Sequence, residues 1–256
     1  MDLEIREKVA LVTGGSSGLG EACALALARE GVRVAIAARR ESELERVAQA
    51  ARDAGSPGAR AFVADLNDAR SIDRLLRDVH DEFGGVDILI ANSGGPKPGT
   101  FTQTSPADWD AAYQAILRSM LQLIEGVVAG MRERRWGRIV ALTSTSVKQP
   151  IATLALSNIF RTGLIAALKT LAGEVAKDGV TVNAIATGRI ETARLRSLYG
   201  NDDSALARAG AEVPIGRIAK PQEFAPLAAF LCSEPARYIT GQTIAVDGGL
   251  ISGLFG

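Results

Sequence analysis

One histidine, His80, and two cysteines, Cys23 and Cys232, are all that 256 residues offer of the softer metal ligands. Neither a zinc site nor a histidine-based triad can be assembled from that set. Two thiols set far apart among alanines and leucines read as buried and unpaired, in keeping with a reducing compartment. Aromatic residues make up only 5%, and the three tyrosines stand at positions 113, 199 and 238. No sign of charge dominates, since 29 Lys and Arg balance 29 Asp and Glu. That balance leaves no electrostatic footprint for nucleic acid or an anionic membrane, so the expected partners are small molecules. No apolar run approaches the ~18 residues of a membrane span, and the charged stretch Met1–Lys8 leads straight into a strand; the expectation is a cytoplasmic protein. Repeats, low-complexity tracts and linkers are missing as well. With 47% apolar and 23% charged residues, the chain reads as a single unit over 1–256.

What the sequence does have is alternation. Short apolar or β-branched runs at Val9–Val12, Val32–Ala37, Ala59–Val63, Val86–Ile90, Arg138–Leu142, Thr181–Ile185 and Thr243–Val246 are separated by longer helical patterns. The helices are expected at Gly18–Glu30, Ser42–Ala54, Ala69–Phe83, Pro106–Met131, Ile151–Lys177 and Pro221–Leu231. This is the pattern of βαβ units, hence an α/β fold with a seven-stranded parallel sheet and helices on both faces. Ser105, Pro106 and Asp108 form a helix start in which each residue has a physical role: cap, pre-set first turn, and negative charge at the positive end of the dipole. Gly188–Pro214 matches no periodicity, and long irregular stretches in compact domains are usually functional, which makes it a candidate lid.

Directly after the first strand comes Thr13-Gly14-Gly15-Ser16-Ser17-Gly18-Leu19-Gly20, followed by an alanine-rich helix. Glycines there let the backbone turn tightly and approach a pyrophosphate, and the N–H groups opening the helix attract its charge. The second strand ends Ala37-Ala38-Arg39-Arg40, where an NAD-selective site would place a carboxylate on the ribose 2′-hydroxyl. An arginine in that place can fork onto a 2′-phosphate, which favours NADP(H). The other reading of Arg39 and Arg40 is a solvated pair facing Glu41 and Glu43.

These residues resemble the TGxxxGxG motif of the short-chain dehydrogenase/reductase family, and the resemblance covers nearly the whole chain. It implies a Rossmann-type doubly wound sheet, in agreement with the alternation. Asp65-Leu66 resembles the family's adenine-binding pair, and Ala91-Asn92-Ser93-Gly94 falls where the family has Asn-Asn-Ala-Gly, its first Asn replaced. Tyr238 to Gly249 is similar to the last strand of bacterial members, the 3-oxoacyl-carrier-protein reductases among them. Ala186-Thr187-Gly188-Arg189-Ile190-Glu191-Thr192 resembles the segment that contacts the nicotinamide carboxamide, with Thr187 in place of Pro. From it, Gly188, Ile190 and Thr192 are expected at the cofactor. Arg189 either meets an anionic substrate or pairs with Glu191 or Asp202. The long fourth and fifth helices pair between subunits in the family, so a homo-oligomer, dimer or tetramer, is expected.

At the centre of the chemistry the resemblance breaks. The family uses a serine, a tyrosine, a lysine four residues beyond it, and a helix asparagine. Ser144 matches the serine, but the tyrosine position is Ser157, the lysine position Arg161 and the asparagine position Ile116. No realignment restores the pair, since the residues four beyond the three tyrosines are Leu117, Asp203 and Gln242. A serine hydroxyl is far less acidic than a phenol, and an arginine stays protonated. Arg161 still brings a fixed cation that can stabilise negative charge on a substrate oxygen. Lys148, four residues beyond Ser144, is a candidate substitute proton donor; its other reading is a solvent-facing loop lysine. Two functions are therefore open: an NADPH-dependent oxidoreductase acting on a small carbonyl or alcohol with an altered proton donor, or an NADP(H)-binding protein with little turnover that serves as a sensor or interaction partner.

Overall fold

The computed structural model describes residues 1–254. Each of the seven apolar runs forms a strand: β1 (Val9–Thr13), β2 (Arg33–Ala38), β3 (Ala59–Val63), β4 (Ile88–Ala91), β5 (Gly137–Leu142), β6 (Val180–Thr187) and β7 (Thr243–Val246). They pair in the order β3-β2-β1-β4-β5-β6-β7, all parallel. Because strand side chains alternate between faces, β5 sends Val140 and Leu142 into one apolar cluster and Ile139 and Ala141 into the other. The first cluster is closed by α1 (Gly18–Arg29), α2 (Glu41–Asp53) and α9 (Pro221–Leu231). The second is closed by α3 (Ala69–Phe83), α5 (Ser119–Glu133) and α6 (Ala155–Val175). The direction in which successive strands are added reverses between β1 and β4, and at such a switch point the loops leaving the carboxyl ends part and open a crevice.

Three departures from the sequence reading have local causes. The helix expected over 106–131 is divided into α4 (Pro106–Ala112), a π-helical turn Tyr113–Arg118, and α5. The Ser119 hydroxyl donates to the Ala115 carbonyl at 2.8 Å, taking an acceptor four residues back and loosening the α ladder there. Helix α6 begins at Ala155 rather than Ile151, because the Asn158 side chain brackets Ile151, accepting from its N–H at 3.1 Å and donating to its carbonyl at 2.9 Å. The candidate lid is not irregular. It holds α7 (Ala193–Leu198), capped by Thr192, and α8 (Asp203–Ala211), capped by Asp202. Helices this short carry too little periodicity to be read from sequence, although both caps are standard signals.

Ser105 caps α4 as expected, Asp108 also bonds back to Ser105 to complete a capping box, and both cysteines are buried and free. No helix among the described residues is long and apolar enough to cross a membrane. At the start of β5, Arg138 is 1% exposed, a buried charge that would be costly without partners. It has them. Its guanidinium donates to the carbonyls of Ser233, Gly137 and Gly179, pairs with Glu234 at 2.8 Å, and stacks on Trp136.

Candidate active site

A cavity of about 840 Å³ lies at the carboxyl ends of the strands, over the switch point. Two loops frame it, and they are tied together. The Thr13 hydroxyl donates to the Asn92 carbonyl at 2.8 Å and accepts the Asn92 N–H at 2.9 Å, while the Asn92 amide reaches the Gly14 carbonyl. Gly14 and Gly18 both take a positive φ of 59°, a backbone region that glycine enters without penalty. Gly14, Ser16, Ser17, Gly18 and Leu19 line the cavity. Gly20 does not. A Cβ there would sit 2.2 Å from the Gly14 carbonyl oxygen, so its role is to let α1 pack against the turn, a correction to its expected contact with a cofactor.

At one end of the cavity stand Arg39, Arg40, Asp65 and Leu66. Arg40 donates to the hydroxyls of both Ser16 and Ser17 at 3.3 Å, drawing its charge over the glycine turn. The expected alternative, a pairing with Glu41 or Glu43, does not form; Glu43 is engaged by Arg46. Ser93 and Gly94 line the middle, and a Cβ on Gly94 would meet nothing within 4 Å.

The other end is lined by Ser144, Ser157 and Arg161, with Gly188, Ile190 and Thr192 of the lid segment. Ser144 follows β5 and accepts the Ser146 N–H at 3.1 Å. Ser157 and Arg161, four residues apart, project from one face of α6. The Ser157 hydroxyl lies 3.1 Å from that of Ser146, so the tyrosine position is occupied by one member of a hydroxyl pair. Arg161 is 8% exposed and donates to the Leu142 carbonyl at 3.1 Å, with no carboxylate against it. Burial, with a smaller contribution from the charge of Arg194, pushes its guanidinium down to about 10. Thr187, also on the wall, has a buried hydroxyl with no hydrogen-bond partner among the described residues.

Lys148 is not brought to the cavity. Thr145–Val147 forms a 3₁₀ turn, in which residues three apart eclipse. Lys148 therefore follows Thr145, which is off the wall as well. Arg189 is a brace within the lid rather than a substrate contact or a partner of Glu191 or Asp202. It bonds the Ala209 carbonyl and pairs with Glu212 at 2.6 Å.

Sequence reasoning missed Arg194, which lines the cavity and donates to the Pro96 carbonyl at 2.5 Å. The available signal was Thr192 as a helix cap: in the first turn of the helix it starts, a side chain leans back towards the N-terminus, here towards the cavity. Lys97 and Asp108, also on the wall, were missed too and pair with one another at 3.1 Å. No group of His, Cys, Asp or Glu among the described residues is arranged to hold a metal.

Comparison with known proteins agrees with this geometry. The family profile described as Enoyl-(Acyl carrier protein) reductase matches residues 14–251. The 3-oxoacyl-acyl-carrier-protein reductase of Vibrio cholerae is 38% identical over 97% of this chain and 99% of its own. Among solved structures, L-sorbose reductase from Gluconobacter frateurii, complexed with NADPH and L-sorbose, superposes with a TM-score of 0.93 at 33% identity, covering 99% of this chain and all of that one. YwfH, an NADPH-dependent reductase involved in bacilysin biosynthesis, gives the same TM-score at 28% identity, over 97% of this chain and all of its own.

Proposed function

Because the chain belongs to the short-chain dehydrogenase/reductase family, we propose that it is an NADP(H)-dependent oxidoreductase interconverting a small carbonyl compound and its alcohol, with a proton supply other than a lysine-activated tyrosine. The observation that carries this reading is a single cavity lined at one end by Arg39 and Arg40, in its middle by the glycine turn, and at the other end by Ser144, Ser157 and Arg161.

The residues present fit NADP(H). Two arginines without carboxylate partners suit a 2′-phosphate, positive-φ glycines and the start of α1 suit a diphosphate, and the unpartnered Thr187 hydroxyl with Thr192 suits a carboxamide. When bound, the reduced nicotinamide supplies hydride to the carbonyl carbon. The chain's own groups do the rest. The Ser144 hydroxyl donates to the substrate oxygen and orients it. Arg161, positive throughout the neutral range, stabilises negative charge gathering on that oxygen. The Ser157 hydroxyl, on the wall and backed by that of Ser146, relays to that oxygen a proton taken from water entering the open cavity. Such a relay is weaker than a matched general acid, whose loss typically lowers rate by ~10²–10⁴, so slow turnover belongs to the proposal. Lys148 has no part in it.

The segment 188–214 is the substrate lid, and 1–256 acts as one catalytic unit. Self-association through α5 and α6 belongs to the same reading, and the exposed side chains of Tyr113 and Ile159 lie beside these helices. The test is NADPH oxidation, followed at the nicotinamide absorbance band across a broad carbonyl panel, with Ser144→Ala as control. Substrate-dependent oxidation that falls in Ser144→Ala supports the proposal. Tight NADPH binding with no oxidation on any carbonyl makes the protein a binder without turnover.

A further inference from the structure

Four charged side chains line the cavity beyond the glycine turn, and they do not cancel. Lys97 and Asp108 neutralise one another, leaving Arg161 and Arg194. Each guanidinium has five donors. Arg161 gives one to the Leu142 carbonyl and Arg194 one to the Pro96 carbonyl, and neither meets a carboxylate among the described residues. Contrast Arg138, the other deeply buried arginine, which has Glu234 and three carbonyls. A protein that satisfies one buried arginine so fully and leaves another bare, with a second cation sharing its cavity, carries a cost in the unliganded state that an incoming anion removes.

The cofactor's own charges do not account for these two arginines. Its diphosphate belongs at the glycine turn and its 2′-phosphate at Arg39 and Arg40, while the nicotinamide and its ribose, which belong at the far end, bring no negative charge. Arg194 also has a place made for it. Its guanidinium passes close over Gly95, where a Cβ would sit 2.3 Å from its Nε, so any side chain at that position would push it aside. Resting on the reductase reading above, we infer that the substrate carries a carboxylate, held between Arg194 on the lid and Arg161 on α6. The substrate class is an oxo acid, or the corresponding hydroxy acid in reverse, rather than a neutral ketone or sugar. The carboxylate also ties α7 down on the cavity, since Arg194 is the lid's own contribution.

The experiment measures kcat/KM with NADPH for matched pairs of 2-, 3- and 4-oxo acids and their methyl esters. The acid of at least one pair is expected to exceed its ester roughly tenfold or more, the scale of one charge-assisted bidentate contact. In Arg194→Gln that acid-to-ester ratio collapses through KM, and Arg194→Lys recovers part of it. Gly95→Ala, which displaces the guanidinium without removing it, lowers the ratio in the same direction. A second arm titrates succinate and dimethyl succinate into the NADPH-saturated protein, read by nicotinamide fluorescence. Binding of succinate alone, abolished by Arg194→Gln, supports the inference even where no carbonyl is turned over, and the reductase reading then fails separately. Equal rates for acids and esters, or neutral ketones preferred, overturn it while leaving the reductase reading intact. So does a loss of NADPH affinity in Arg194→Gln with the ratio unchanged, which would assign Arg194 to the diphosphate.

Discussion

Replacing Arg161 by methionine is expected to stabilise the unliganded protein, the opposite of what removing a buried, hydrogen-bonded side chain usually does. Lowering a guanidinium from its ordinary value to about 10 corresponds to a penalty of about 3 kcal/mol on the folded state, at ~1.4 kcal/mol per pH unit. Against this stands the bond to the Leu142 carbonyl, worth about 1–1.5 kcal/mol. Methionine keeps most of the aliphatic stem and adapts to irregular gaps, so little packing is lost. The balance is a gain of about 1–2 kcal/mol, or roughly 2–8 °C in Tm for a chain of this size. The sign with pH follows from the depressed folded value. The penalty on the native protein is complete below about pH 10 and disappears as pH rises from there towards the ordinary arginine value, so the advantage of methionine is flat from pH 7 to 9 and shrinks above about 10. Differential scanning calorimetry of the two proteins without ligand at pH 7.5 and pH 9 measures it, with Arg138→Met as the opposite control. Removing Arg138 takes the pair from Glu234, which keeps Trp136 and Arg237, and strips a donor from the carbonyls of Ser233, Gly137 and Gly179, so this variant is expected to lower Tm. Saturating NADPH and oxo acid should reverse the order, because only the native protein gains from the bound anion. A lower Tm for Arg161→Met without ligand refutes the reasoning, since it would mean that the charge is compensated in the native protein.

Three further outcomes are expected. Arg39→Ala with Arg40→Ala should weaken NADPH by roughly tenfold or more, on the scale of a charge-assisted contact, and leave NADH within a few-fold; equal losses in a fluorescence titration would remove the 2′-phosphate assignment. Ser157→Tyr with Arg161→Lys, which rebuilds the phenol and lysine pair, should raise kcat on an activated neutral ketone by at least tenfold with NADPH affinity little changed, and unchanged kcat would show that proton supply does not limit turnover. Burial pushes the Cys23 thiol from 9.0 up to about 12, so a disulfide-exchange reagent at pH 8 should label neither cysteine in the native protein and both in urea. Its contribution to stability is complete below about pH 9 and is lost as pH climbs towards 12; rapid native labelling would contradict its burial.

The sheet and the nucleotide end of the site were legible because their signals are local. Alternating apolar runs with helical spacers give a parallel sheet covered on both faces, and glycines at fixed offsets mark a turn that backbone sterics require. The substrate end was legible only in part. Ser144, Ser157 and Arg161 could be placed by counting along β5 and α6, but the Ser146–Ser157 hydroxyl pair depends on how a 3₁₀ turn meets a helix. Arg194 depends on a fold-back of the lid over Gly95, a contact between residues 99 positions apart in the chain that no periodicity encodes. Lys148 is near Ser144 in sequence, yet the 3₁₀ turn Thr145–Val147 lies between them and Lys148 is not on the cavity wall.

Strand β5 has a different temperament at each end. Its first residues anchor Arg138, fully partnered, at the amino-terminal rim of the sheet, and its last carbonyl holds Arg161, nearly bare, in the wall of the cavity. About 13 Å of extended chain separates Arg138 from Leu142, beyond the ~7–10 Å over which substitutions commonly influence one another. The strand is thus an insulator between a rivet and a socket. Folding draws on the rivet, and the proposed anion contact on the socket. A lineage can therefore exchange the groups around Arg161 and sample new substrates while the anchorage that keeps the chain folded is left undisturbed.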